Sequence, residues 1–396
     1  MNTAQRACLL LLLIPPSLSL AQLGATRVTV EQLEPVLGTA NRKLDGRVAR
    51  QLAGLELTER MSNAKLSSWE RSLHGEKTRE ALVALADVSV FLDPPAAEIP
   101  PTPPPDQAAQ RLIVARAVDY IKMTAPELPN FIATRATVIY EQPPQTDKKA
   151  WVAATGGQPL QVSARSTATV LYRNGRDIVD AEQTRGKNLP GKNNDLTTKG
   201  TFGPILVTVF DDLQAARGEL TWSRWEKGAA QELAVFRYAV PKETSHYAVN
   251  LSNPPNSSGL GAFRRVTGYH GEVAIDPVSG VIVRVTVQAD LNPPLPILRA
   301  DILVEYGPVV IGGKTYVCPV KSVSILQERS RRVFTYVYEN DKNYVSLETI
   351  LSDAVFADYH MFRAEAEVLP DFSPDGDANT HDPGSTGAPA PTPPAK

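Results

Sequence analysis

The chain has 396 residues, 42% hydrophobic and 21% charged, enough to bury the core of one large or two modest domains. Its 41 basic and 43 acidic residues leave a formal charge of −2, which excludes a basic footprint for nucleic acid or a cationic face for anionic membranes.

Residues 1–21 read as an export signal: Arg6, the apolar run Ala7 to Ile14, and Ser19-Leu20-Ala21 before a cut at Gln22. The run is shorter than the ~20 residues of a membrane-spanning helix, and Pro15-Pro16 interrupts it, so a retained anchor is the lesser reading. Cleavage removes Cys8 and leaves Cys318 alone, so no intramolecular disulfide is expected. The protein is expected to be periplasmic or secreted, with no transmembrane anchor after cleavage.

Residues 22–93 read as a helical segment. Thr29 and Gln32 form a capping-box pattern, and Asp45 starts a further helix. Val48, Leu52, Leu55 and Met61, then Leu66, Trp69 and Leu73, then Leu82, Leu85, Val88 and Phe91 fall near helical spacing. Residues 94–105 form a proline-rich linker. Asp106 caps a helix to about Met123, and Leu128-Pro-Asn-Phe131 hands over to a strand, Ile132 to Glu141. Leu160 to Tyr172 is a strand that turns at Asn174-Gly175 into Ile178-Val179. Gly186 to Gly200 and Leu251 to Gly261 read as loops. Phe202 to Ala216 reads as a helix lying on the sheet, stopped by Gly218.

Leu233 to Val240 returns as a strand, followed by the most regular alternation in the chain. Val281 to Asp290 and Leu298 to Tyr306 alternate with period 2, between the turns Asp276-Pro-Val-Ser-Gly280, Asn292-Pro-Pro-Leu-Pro296 and Ile311-Gly-Gly-Lys314. This predicts an antiparallel meander with one dry and one wet face. Arg332 to Tyr338 and Ala354 to Phe362 read as two more strands, and residues 370–396 as a disordered tail.

The order of elements over residues 106–369 resembles the periplasmic lipoprotein-carrier superfamily, LolA- and LolB-like. The resemblance rests on Asp106 to Phe131, on Gly271-Glu272, Asp276-Pro277 and Gly280, and on Val304-Glu-Tyr306 with Ile311-Gly-Gly-Lys314 and Pro319. The last group is similar to a pattern in uncharacterised exported bacterial proteins of this architecture. The resemblance implies an α+β fold in which a curved antiparallel sheet makes an open half-barrel covered by helices. It also implies a cavity for a lipid or acyl chain. The helical segment has no counterpart in the small carriers.

On a strand His270 and Glu272 share a face, opposite Tyr269 and Gly271. A metal site would need a further ligand, such as His246, or His360 with Asp358. Cys318, in Val317-Cys-Pro-Val320, reads as a buried, inert thiol. The chain lacks a Gly-x-Ser-x-Gly elbow, a Gly-x-Gly-x-x-Gly turn, a Walker loop and His-Glu-x-x-His. No cofactor is indicated. Trp222 and Trp225 are expected on opposite sides of a strand, one in the core and the other, with Tyr269, a candidate ligand contact.

Three readings follow. The first is a non-enzymatic exported protein binding a lipid, acyl chain or lipoprotein. The second is an envelope interaction or scaffold protein tethered through its helical segment. The third is a metal-dependent enzyme using His270 and Glu272.

Overall fold

The computed structural model describes residues 25–142, 160–174, 176–186, 204–216, 218, 220–229, 231–251, 263–291, 297–331 and 345–362. The export-signal reading, most of the loops at 186–200 and 251–261, the turn at 292–296, the strand expected at 332–338 and the tail lie outside those residues.

Thr29 and Gln32 exchange both capping-box hydrogen bonds: the Thr29 N–H donates to Gln32 Oε1 (2.9 Å) and the Gln32 N–H to Thr29 Oγ1 (3.3 Å). Short helices follow: α1 (Glu34–Gly38), α2 (Asp45–Ala53), α3 (Asn63–Ser72) and α4 (Glu76–Val88). Val48, Leu52, Leu66, Leu82 and Leu85 join Leu33, Leu37, Met61 and Leu73 in a core of their own. Asp45 begins α2, yet its carboxylate serves α4, accepting from the backbone N–H of Lys77 (3.1 Å) and Thr78 (2.9 Å). A small parallel pair, β1 (Thr26–Val28) with β2 (Leu55–Leu57), ties the segment together. Three residues per strand are too few to show a period.

The proline-rich stretch lies against the sheet. Trp225 Nε1 donates to the Pro103 carbonyl (2.9 Å) and Thr102 Oγ1 to Glu232 (3.0 Å). Asp106 then accepts from the Ala109 N–H (2.8 Å) and caps α5 (Gln107–Glu127).

The remaining strands are β3 (Phe131–Glu141), β4 (Gln161–Arg173), β5 (Arg176–Gly186), β6 (Thr221–Lys227), β7 (Glu232–Val240), β8 (Ala248–Leu251), β9 (Phe263–Val266), β10 (Tyr269–Ile275), β11 (Ile282–Ala289), β12 (Ile297–Ile311), β13 (Lys314–Arg331) and β14 (Val345–Met361). Among the described residues one helix, α6 (Pro204–Ala215), lies between β5 and β6 in the chain. Apart from the β8–β9 pair, these strands form one sheet in the order β5-β4-β3-β14-β13-β12-β11-β10-β7-β6, with every pairing antiparallel. The fold is α+β, a curved antiparallel sheet that is not closed into a barrel, with helices. Register shifts in β3, β4, β6, β12 and β14 mark bulges, which bend long strands. Among the described residues no helix is long and apolar enough to cross a membrane.

Helices α5 and α6 cover one face. Ile113, Ala117, Ile121, Leu206, Val209 and Leu213 pack on Phe236, Tyr269, Val273, Val285, Ile302 and Val304. The opposite face was expected to be wet. Over β11 to β14 it is instead buried, with Arg284, Thr286 and Asp301 all below a tenth exposed, while His270 and Arg237 toward β7 and β10 stay more than half exposed. Ala84, Val88 and Phe91 lie on Leu303, Val323, Ile325 and Leu351 there.

Charge is buried in the same seam. Glu226 on β6 meets Arg224 (2.6 Å), Arg284 on β11 (2.9 Å) and Arg60 of the helical segment (2.7 Å). Burial would push the Glu226 carboxyl up, but Arg284, Arg60 and Arg224 hold it down to about 2. Arg224 also meets Glu272 (2.7 Å) and Asp93 (2.9 Å), and Arg237 reaches Asp93 (2.9 Å). Removing Glu226 leaves three guanidinium groups facing one another out of water. Glu226→Leu is therefore expected to cost about 3–5 kcal/mol in chemical denaturation. Asp93→Asn, at a carboxylate 64% exposed, should cost under about 1 kcal/mol. Equal losses would contradict a buried charge cluster.

A second buried group in the seam is short of cations. Lys321 on β13 reaches Asp87 of α4 (2.6 Å) and Asp353 of β14 (3.5 Å). One ammonium answers one carboxylate. Burial, then the Asp353 charge, push Asp87 up to about 7 despite Lys321. A carboxyl whose folded pKa exceeds its unfolded value of about 3.9 binds its proton more tightly when folded. Its stabilisation is complete below about pH 4 and is lost as pH rises through about 7. Asp87→Asn should flatten the urea midpoint between about pH 4 and 7. A variant profile as steep as the parent's would contradict this.

A candidate ligand-binding face

Trp222, Trp225 and Tyr269 all lie on the face that α5 and α6 cover. The expectation that the two tryptophans point apart is corrected by a register shift between Trp222 and Arg224. Trp222 opposes Phe236 and Trp225 opposes Ala234, both on that face. The extra residue resets the alternation and brings the indoles together edge to face, centroids 4.9 Å apart. Both are half-buried.

Tyr269 is fully buried, and its hydroxyl donates to Asp212 Oδ2 (2.9 Å). Asp212, on α6, is itself 0% exposed and also accepts from the His246 N–H (2.9 Å) and pairs with His246 Nδ1. The His246 ring is 78% exposed, and the Asp212 carboxylate raises its pKa above the ordinary histidine value. In the sequence Asp211 and Asp212 are neighbours on a helix and point apart, so they do not imply a cooperating pair of carboxylates, and nothing local points to His246 as a partner. The two partners are 34 positions apart, so only the packing of α6 joins them.

His270 and Glu272 share the opposite face but are drawn to different partners. His270 Nδ1 lies 2.8 Å from Asp290. Glu272 accepts from Arg224 (2.7 Å) and Arg237 (3.1 Å), which hold its pKa down against burial. His360 Nδ1 faces the Asp358 carbonyl (2.8 Å). Among the described residues no three His, Cys, Asp or Glu side chains come together as a cation would need. Cys318 is free and buried, and burial pushes its thiol up to about 12, so it carries little thiolate at neutral pH.

The most unusual surface is a stretch of the α5/α6 face spanning β13, β14, β3 and β4. The pairing sets two adjacent rows of side chains across it. One runs Ser322, Ala354, Thr137, Ser166, and the next Ser324, Ser352, Ile139, Ala164. The rows continue on β12 as Val304 and Ile302, which belong to the core under α5 and α6. Across four strands only one side chain, Ile139, is larger than threonine. The next pairs out are Leu326, Ile350 and Glu141 at one end of the rows, and Phe356, Arg135 and Ala168 at the other.

Ser322, Ser324, Thr137, Ser166 and Ser352 are buried. Among the described residues the hydroxyls of Thr137, Ser166 and Ser322 have no hydrogen-bond partner. A buried hydroxyl without a partner costs about 1–3 kcal/mol, so three together are a standing cost. Small side chains on a broad sheet make a low floor, and hydroxyls in that floor offer both donors and acceptors. The arrangement suits a ligand with an apolar body and an uncharged or weakly charged polar group.

Compared with known proteins, the chain matches no family model, no curated protein and no solved structure.

Ser322→Ala is expected to raise stability by up to about 1 kcal/mol, because it removes a fully buried hydroxyl that nothing pairs. Ser89→Ala, equally buried, should lower stability by about 1–3 kcal/mol, since Ser89 Oγ donates to the Ala86 carbonyl (2.6 Å) and accepts from the Met61 N–H (3.1 Å). Thermal unfolding of the two variants checks the opposite signs.

Proposed function

We propose that the protein is an exported, non-enzymatic carrier that holds a lipid or acyl chain against the small-residue rows of its sheet. The observation that carries this reading is the buried, unpartnered trio Thr137, Ser166 and Ser322, with Leu326 and Ile350 beyond one end of the rows and Phe356 beside Arg135 beyond the other. Hydroxyls kept at a cost to stability in a low floor have a use if a ligand's polar group satisfies them. The resemblance in element order to LolA- and LolB-like carriers supports the same reading by analogy of fold alone. A periplasmic or extracellular location follows from the export-signal reading.

The alternatives draw less support. A tether would want a helical segment with a free apolar face, whereas Ala84, Val88 and Phe91 face the sheet. An enzyme using His270 and Glu272 would want them on one substrate, whereas they face Asp290 and two arginines.

Native mass spectrometry of the exported protein, purified without added lipid, tests the proposal. The expected result is one retained amphiphile per chain, removed by organic extraction and lost in a Thr137→Leu/Ser322→Leu double variant whose folding is unimpaired. Re-addition at a hundredfold excess over Kd should restore about 2.7 kcal/mol of stability. Protein that emerges empty and gains no thermal stability from monoacyl lipids would end the reading.

A further inference from the structure

A cavity of about 470 Å³ lies on the other side of the sheet, where the N-terminal helices meet β3 and β4. Its α2 wall is Gly46, Ala49 and Ala53 with the longer Arg50, and Ala81 of α4 adds a further small side. Its floor is Tyr140, Leu160 and Val162. The charges at the lining are Arg50, Lys77 and Glu80. Glu80 is answered by Arg165 at 2.5 Å. The Arg50 Nε donates to the Gly46 carbonyl of its own helix (3.1 Å), and among the described residues neither Arg50 nor Lys77 has a carboxylate within salt-bridge reach.

We infer that this cavity is a second binding site, for an anionic amphiphile whose acidic head lies between Arg50 and Lys77 and whose apolar body lies on the alanines, Leu160 and Val162. The volume falls in the ~300–1,000 Å³ range of small-molecule pockets, and the lining combines small apolar side chains with charged ones. The charge balance selects the sign. Arg50 and Lys77 stand in the lining against Glu80, which Arg165 holds, with Asp45 beside Lys77 the further carboxylate. An acid is therefore attracted over an amine, and an uncharged isostere gains neither attraction. The walls come from both the helical segment and the sheet, so an occupant touches both and its binding strengthens their docking by linkage. The site is independent of the hydroxyl-lined rows, which lie on the opposite face of the sheet.

Calorimetric titration of the full exported chain with decanoate, and with decanol as the uncharged control, tests the inference. Decanoate is expected to bind saturably at one site, at least tenfold more tightly than decanol. Arg50→Glu/Lys77→Glu should weaken it at least tenfold, and Ala49→Phe should abolish it by filling the cavity. Both charged residues are exposed, so the double variant remains informative if Ala49→Phe fails to fold. Thr137→Leu/Ser322→Leu should leave decanoate affinity unchanged, which separates this site from the proposed carrier site. Absence of saturable binding, equal affinity for decanol, or undiminished affinity in the charge-reversed variant would overturn the inference. So would binding to anionic phosphatidylglycerol vesicles without binding of free decanoate.

Discussion

The contact on which the architecture depends is one carboxylate, Glu226, enclosed by the guanidinium groups of Arg60, Arg224 and Arg284. Two of these arginines come from the sheet, and Arg60 comes from the helical segment about 160 residues upstream. Any one of the four charges, buried alone, would cost several kcal/mol. Together they are tolerable only when the helical segment is seated. The cluster therefore acts as a register mark: it says little about total stability, but it penalises every docking that misses it.

That constraint explains why the sheet is dry on both faces over β11 to β14. A sheet covered on one side would leave Arg284, Thr286 and Asp301 in water, and the alternation of β11 and β12 reads that way. With α2 to α4 seated, the polar set becomes an interior. It is paired in large part: Arg284 meets Glu226, Asp301 meets Arg299 and Thr286 Oγ1 accepts from the Glu272 N–H (2.8 Å), while Phe91 takes the Arg299 guanidinium over its ring at 5.3 Å. Three layers result, with the sheet in the middle.

The two sides of the sheet are filled differently. Under α5 and α6 the side chains are large, and Phe236, Tyr238 and Tyr269 interlock with Trp222 and with Tyr247. Toward β4 the same face shrinks to Ser, Thr and Ala. The tyrosine-rich end is a packed core, and Tyr269 there serves to hold Asp212 against His246. The serine-rich end carries polar atoms that the described residues leave unpaired. The two textures therefore divide one surface into a tightly packed end and an end with buried, unpaired hydroxyls.

The amino-acid sequence by itself determined whatever depends on neighbours a few positions apart. The Thr29–Gln32 capping box, the Asp106 cap and the reversal that pairs Arg173 with Arg176, with Asn174 at φ 52°, follow from local sterics and hydrogen bonding. So does Gly312-Gly313, at φ 59° and 84°. The period-2 runs likewise announced β11 and β12. Tertiary structure alone decided what depends on register and docking. One inserted residue at Ser223 put both tryptophans on one side, since a bulge moves the alternation by one. The hydroxyl rows exist because β3, near the start of the sheet domain, pairs with β14 at its end, so Thr137 meets Ala354 across more than two hundred residues. No period along the chain encodes that adjacency. The burial of the second face likewise arises from a separate segment of chain, and a pattern of polarity cannot distinguish a side chain facing water from one facing another layer's opposite charge.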